Sequence, residues 1–389
     1  MRNPLSEKIV AIPPSGIRKF FDIVSEMKDA VSLGVGEPDF DTPWHIREEG
    51  IYSLEKGRTF YTANAGVKEL RQEISAYVER RMGVSYDPVK EVMVTVGGSE
   101  AIDAAMRAML DPGDEVLIPQ PSFVSYMPCT ILADGKPVVI CLEEKDQFKL
   151  TPEKLLEKIT PKTKLLVLPF PNNPTGAVMD RQELEQIARI VEEKDLFILS
   201  DEIYAELTYG HEHVSIASLP GMRERTVMIN GFSKAYAMTG WRLGYACAPA
   251  RILAQMLKVH QFAIMCAPTT SQYAAIAALR NGDKDVAVMR ESYDQRRRYL
   301  LHAFKEMGLS CFEPFGAFYA FPSIRRFGMT SDEFATRLLQ EEKVAVVPGT
   351  AFGDCGEGYL RISYAYSLDS LKEALGRMER FIRRLDGKG

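Results

Sequence analysis

The sequence predicts an α/β fold: a large domain whose seven-stranded, mostly parallel sheet lies between helices, followed by a smaller α+β domain. Three observations carry that expectation. Seven short β-rich runs alternate with helical stretches: Val92–Val96, Glu115–Pro119, Val138–Leu142, Lys164–Leu168, Leu196–Ser200, Thr226–Asn230 and Gly244–Ala248. Most of these runs are continuously apolar instead of alternating, the pattern of strands covered on both faces. After about residue 280 the order changes, and long helical patterns are broken by a few short extended segments.

The chain opens on proline-punctuated sequence. Pro13-Pro14-Ser15-Gly16 precede apolar residues at Ile17, Phe20, Phe21, Val24 and Met27, a spacing that suits a short helix. In the loop Leu33–Phe40, Gly36 either lets backbone approach a ligand closely or merely makes a turn. Residues 1–42 thus read as an arm and leading loop that belong with the smaller domain and cover the site. Residues 43–280 hold the regular β/α pattern of the large domain. Residues 281–389 hold the small domain: a helix over Lys284–Met307, the apolar Gly316–Phe321, a helix near Ser331–Lys343, extended runs at Val344–Val347 and Tyr359–Ser363, and a last helix from Leu368. No low-complexity linker separates the two, which predicts an extensive shared interface with a cleft in it.

Composition narrows the function. With 389 residues, 46% hydrophobic and 26% charged, the chain is an ordinary globular protein with ample core. A net charge of −5 argues against a nucleic-acid or anionic-membrane surface, which needs concentrated Lys and Arg. The six cysteines are scattered and never approach CxxC spacing, so no zinc site is expected, and no apolar run is long enough for a bilayer. A reducing cytoplasm is the economical setting. The pair His211 and His213 reads as loop and not as a metal site.

In sheets of this kind ligands bind beyond the carboxyl ends of the strands, so the segments that follow them hold the chemistry. After Val92–Val96, Gly97-Gly98-Ser99 open a helix whose exposed N–H groups suit a phosphate, although Ser is also a favoured N-cap. After Lys164–Leu168, the proline-fixed loop P-F-P-N-N-P-T-G carries Asn173, either an amide aimed at a ligand or a turn residue. Asp201 ends the next strand, with a phenol, Tyr204, three residues on. A carboxylate there can keep a heterocyclic nitrogen protonated or can open a helix. After Thr226–Asn230 comes Lys234, with Arg242 eight positions later. A lysine at a strand end, partly buried beside a cation, is a free amine able to form an imine, and the arginine can grip a phosphate; a surface lysine with a structural arginine is the plainer alternative.

Taken together, N-N-P-T-G, S-D-E-I-Y and S-K-A-Y-A-M-T-G-W-R-L-G-Y resemble the class I/II aminotransferases, pyridoxal-phosphate (PLP) enzymes of fold type I, near the bacterial aspartate/aromatic subgroup and the N-acetyl-diaminopimelate aminotransferases. The resemblance runs from G-E-P-D-F-D-T-P to Y-L-R-I-S-Y-A. It implies that Lys234 links covalently to PLP and later shuttles the proton at the substrate Cα. It implies further that Asp201 pairs with the ring nitrogen, that Asn173 and Tyr204 bond the phenolic oxygen, and that Phe123 stacks on the ring. The phosphate would be met by Gly98, Ser99, Ser233 and Arg242, and by Tyr61 from a second subunit, which makes the homodimer part of the site. Gly231 stands where some relatives carry a phosphate-binding serine. Arg361 would clamp the substrate α-carboxylate, with Gly36 and Asn173 beside it.

The function implied is a ping-pong transfer of an amino group from an L-amino acid, aromatic, aspartate-like or related, to a 2-oxo acid such as 2-oxoglutarate. Aspartate-specific relatives carry a lysine and a threonine where this chain has Ser99 and Ile17, and Arg18 in the arm either pairs with a distal carboxylate or withdraws from an aromatic ring. The same fold supports carbon–sulfur β-lyases. A PLP-binding regulator without turnover is the reading from another class.

Overall fold

The computed structural model describes residues 2–14, 16, 27 and 29–387. The expected helix around Phe20, with Ile17 and Arg18, lies outside the described residues. All seven predicted runs are strands: β2 (Val92–Thr95), β3 (Glu115–Gln120), β4 (Lys136–Cys141), β5 (Thr163–Leu168), β6 (Phe197–Asp201), β7 (Thr226–Gly231) and β8 (Gly244–Cys247). They form one sheet in the order β2-β8-β7-β6-β5-β3-β4, in which only β8 is antiparallel to its neighbours. β2, antiparallel to β8, therefore runs the same way as β7, and six strands end on one edge.

Local sequence explains the flanking helices. Helix Arg181–Glu193 starts at a capping box, the Asp180 carboxylate accepting from the Glu183 N–H and the Glu183 carboxylate from the Asp180 N–H, and buries Leu184, Ile187, Ala188 and Val191 along one stripe. Helix Gly97–Met109 buries Ala101, Ile102, Ala105 and Met106 against the sheet. It begins two residues before Ser99. Ser99 lies inside the first turn and is not the cap, and the Glu100 carboxylate accepts the Val96 N–H instead.

The C-terminal part builds a three-stranded antiparallel sheet from β11 (Val347–Pro348), β12 (Leu360–Ser363) and β9 (Tyr319–Ala320). The run expected as one strand at Val344–Val347 is two. β10 (Val344–Ala345) pairs in parallel with β1 (Val31–Ser32), and the chain then crosses at Val346 to join the other sheet. Phe318 and Tyr319 pack edge-on against Tyr204, with centroids 5.5 and 5.9 Å away, so this sheet rests on the segment that follows β6. Burying aromatic rings of this size contributes on the order of 2 kcal/mol each.

The cysteines bring one departure. Cys141, at the end of β4, and Cys355, 214 positions further along the chain, are joined by a disulfide with Cα atoms 5.6 Å apart, against the expectation of six scattered thiols in a reducing compartment. Only the folded chain brings the pair together.

Candidate active site

The carboxyl ends of β5, β6 and β7 and the first turn of helix Gly97–Met109 surround a cavity of about 350 Å³, closed on its other side by the loop at Gly36 and by Tyr319 and Arg361 of the C-terminal sheet. That size suits a cofactor-sized ligand. Of the predicted residues, Gly36, Gly98, Ser99, Phe123, Asn173, Asp201, Tyr204, Ser233, Lys234, Arg242 and Arg361 all line it. Tyr61 does not; it lies on the surface, 82% exposed. Arg18 lies outside the described residues.

Lys234 follows β7 by three residues and reaches across the cavity, Nζ donating to the Gly36 carbonyl oxygen at 2.5 Å. Burial, then the nearby Arg361 and Arg242 cations, bring its ammonium down to about 8, against the opposing pull of Glu37 and Asp201. Arg361 projects from β12 and is 2% exposed. Its Nη1 donates to Asn173 Oδ1 at 3.1 Å and its Nη2 to the Gly34 carbonyl oxygen, while Nε is buried without a partner. A buried cation that lines a cavity and has no acidic partner there suits an anion.

Asp201 closes β6. Its carboxylate accepts from Tyr126 Oη at 2.6 Å and from the Ile203 N–H at 3.2 Å. Burial still pushes its carboxyl above the ordinary value, so a cationic N–H in the cavity is the complement it lacks. Phe123 stands edge-on to Tyr126 at 5.8 Å.

Arg242 takes a left-handed backbone, φ +52°, which places its guanidinium over the helix N-terminus. Gly97 itself sits at φ +77°, a backbone that favours glycine, and a Cβ there would lie 2.8 Å from the Arg242 Nη2. Gly244 is equally confined: a Cβ there would come within 2.7 Å of Gly97 C and Gly98 N. Gly231, opposite it in register, is tightly packed, a Cβ there lying 3.0 Å from Gly244 Cα and 3.1 Å from the Leu243 carbonyl oxygen. Arg242, the first turn of the helix, Ser99 and Ser233 thus all line the cavity, a donor set that suits a phosphate.

Residues 28–378 match the family model for aminotransferase class I and II. The chain belongs to that family. The aminotransferase is 48% identical over 382 residues to the aspartate aminotransferase of Pyrococcus abyssi, covering 97% of this chain and 98% of that one. To aromatic-amino-acid aminotransferase 2 of Thermococcus litoralis it is 46% identical over 382 residues, covering 97% and 98%. The solved Thermus thermophilus aspartate aminotransferase with maleate superposes with a TM-score of 0.94 at 40% identity, over 98% of this chain and all of that one. The enzyme is accordingly PLP-dependent, transferring amino groups between amino acids and 2-oxo acids. The phosphate seat, the buried acid and the lowered lysine fit PLP in charge and in chemistry.

Three lining residues of the aminotransferase escaped the sequence reading. Tyr126 lies in the quoted stretch P-S-F-V-S-Y, but its partner Asp201 is 75 residues away. Tyr319 hides in the apolar run G-A-F-Y-A-F. Glu37, in G-E-P-D-F, accepts from Thr239 Oγ1 at 3.1 Å and bears on Lys234.

Proposed function

We propose that one site runs both halves of a ping-pong transfer, from an aromatic or aspartate-like L-amino acid to a 2-oxo acid such as 2-oxoglutarate. One observation carries the proposal. Lys234 Nζ and Arg361 Nη2 donate to carbonyls only two residues apart, those of Gly36 and Gly34. A carboxylate held by Arg361 sets the neighbouring Cα within reach of the lysine amine.

The division of labour follows from the donors. Arg361 takes the α-carboxylate with its planar fork, next to Gly36, whose missing side chain leaves room for the Tyr319 hydroxyl. Guanidinium has no acceptor, so Asn173 meets it with its carbonyl oxygen and keeps its NH₂ for the substrate and for the phenolic oxygen of the cofactor. Tyr204 would donate to that same oxygen, Asp201 would hold the ring nitrogen, and Phe123 would cover the ring face. Gly98, Ser99, Ser233 and Arg242 hold the phosphate. When bound, PLP supplies a carbonyl carbon and an electron-withdrawing ring that makes the substrate α-hydrogen acidic. Lys234, neutral in a useful fraction of molecules, would take that proton from Cα and deliver it to the cofactor carbon that had been the carbonyl carbon.

Donor choice is assigned to the arm around Arg18, and the relatives' names, aspartate in one and aromatic amino acid in another, support both substrate classes. Steady-state transfer to 2-oxoglutarate from a panel of aspartate, tyrosine and phenylalanine tests this reading, which a lack of transfer from all three would overturn.

The homodimer is supported by an aromatic surface patch. Phe60 is 79% exposed, Tyr61 82% and Phe262 87%. The first two are tied to the neighbouring segment by Thr269 Oγ1, which donates to the Phe60 carbonyl at 2.8 Å, and by Asn64 Nδ2, which donates to that of Met265 at 2.8 Å. In a dimer this patch is covered, and Tyr61 of the second copy reaches the phosphate. Sedimentation at the mass of a single chain would refute it.

The proposed domain boundaries remain 1–42, 43–280 and 281–389, supported by the separate sheets; limited proteolysis cutting near 42 and 280 checks them. Among the described residues no helix is long and apolar enough to cross a membrane. A cytoplasmic setting is supported by the four free cysteines and opposed by the Cys141–Cys355 bridge. Alkylation at cell lysis decides between them, six modified thiols favouring the cytoplasm and four an oxidising compartment.

A further inference from the structure

Tyr319 has no role in the reading above, yet it stands among the groups that carry it. Its ring is 1% exposed, and its hydroxyl oxygen lies 2.9 Å from that of Tyr204. The Arg361 guanidinium carbon sits 4.4 Å from the ring centroid, and a Cβ on Gly36 would come within 2.5 Å of the Tyr319 hydroxyl. The residue therefore touches the acid clamp, the backbone beneath Lys234 and the phenol of Tyr204 at once.

Two phenols that share one hydrogen bond leave one hydrogen over, and its direction matters. Arg361, the charged neighbour of Tyr319, offers only donors and cannot accept a phenolic hydrogen. The cation also makes Tyr319 the more acidic of the two. Burial raises both phenols and Arg361 lowers both, but the guanidinium lies over the Tyr319 ring and bears more strongly on that phenol. The stronger acid donates. Asp201 and Lys234 are the other charged groups beside Tyr204, the lysine Nζ being 5.8 Å from its ring.

We propose that Tyr319 is a positioning residue: it donates its hydroxyl hydrogen to the Tyr204 oxygen and so commits the Tyr204 hydrogen to the cofactor side of the cavity. This rests on the reading that Tyr204 donates to the phenolic oxygen of PLP. A hydrogen bond received strengthens the one given, so the chain Tyr319, Tyr204, cofactor stabilises negative charge on that oxygen more than Tyr204 does alone.

Spectrophotometric pH titration of the visible cofactor band in substrate-free holoenzyme tests the proposal. Tyr319→Phe keeps the ring under Arg361 and removes only the hydroxyl. The apparent pKa of the band should rise by roughly half a unit in Tyr319→Phe and by about one unit in Tyr204→Phe. Because Tyr319 acts through Tyr204, the double variant should titrate like Tyr204→Phe. A normal titration in Tyr319→Phe, or shifts that add in the double variant, would overturn the proposal while leaving the role of Tyr204 intact. No shift in Tyr204→Phe would overturn both.

Discussion

Tyr126 Oη donates to Asp201 Oδ2 over 2.6 Å, and both groups are buried at the carboxyl end of β6. The bond opposes the burial that pushes the Asp201 carboxyl up, and so favours the anion that a protonated ring nitrogen needs. Tyr126→Phe should weaken cofactor affinity and lower kcat, each about tenfold, the scale of one charge-assisted hydrogen bond. Titration of apoenzyme with PLP and steady-state assays check this. Wild-type values for both would remove Tyr126 from the account.

The amine of Lys234 carries a pH signature. Brought down to about 8, it is neutral in about a tenth of molecules at pH 7, against about one in three thousand for an ordinary lysine. The depressed value means that the reactive, uncharged form grows as pH rises and levels off above about 8. Capture of PLP by apoenzyme should follow that curve in stopped flow, and a rate that climbs unabated to pH 10 would show an unperturbed lysine. Lys234→Ala should lose at least about a thousandfold in turnover while still binding some cofactor.

Arg361 is a planar fork, and a lysine is not a substitute for it. Arg361→Lys should keep the fold, raise KM for every amino donor, and lower kcat/KM about a hundredfold. The loss should be the same for aspartate and for phenylalanine, because the α-carboxylate is common to both. A loss confined to aspartate would instead place Arg361 on the side chain.

Gly244 is a packing requirement with a functional consequence. In Gly244→Ala the new methyl meets the backbone of Gly97 and Gly98 at 2.7 Å, so the phosphate seat must shift. Overpacking against backbone costs about 1–3 kcal/mol. Lower thermal stability together with about tenfold weaker PLP binding, read by equilibrium dialysis, is the expected pair of effects; unchanged PLP affinity would show that the seat tolerates the displacement.

How much of this was legible in the sequence depends on how local each signal is. The strands of the main sheet announce themselves because all but the edge strand β4 are largely buried on both faces and need no partner to be recognised. Val344–Val347 was misread as one strand because nothing apolar distinguishes the residue at which a chain changes sheets. Lys234, Asp201 and Arg361 stand out as charges at strand ends or inside an apolar strand. Tyr126 and Tyr319 do not, since a buried tyrosine in an apolar stretch reads as core until its hydroxyl partner is seen. The Cys141–Cys355 bridge spans 214 residues and has no local mark at all.

The most direct test is a single half-reaction. Holoenzyme mixed with an excess of an amino acid it accepts, and with no 2-oxo acid, should lose its visible cofactor band once and release one 2-oxo acid per active site, with no free ammonia. Adding 2-oxoglutarate should restore the band. Continuous release of ammonia and pyruvate from a cysteine conjugate, without loss of the band, would contradict amino-group transfer and make the protein a lyase.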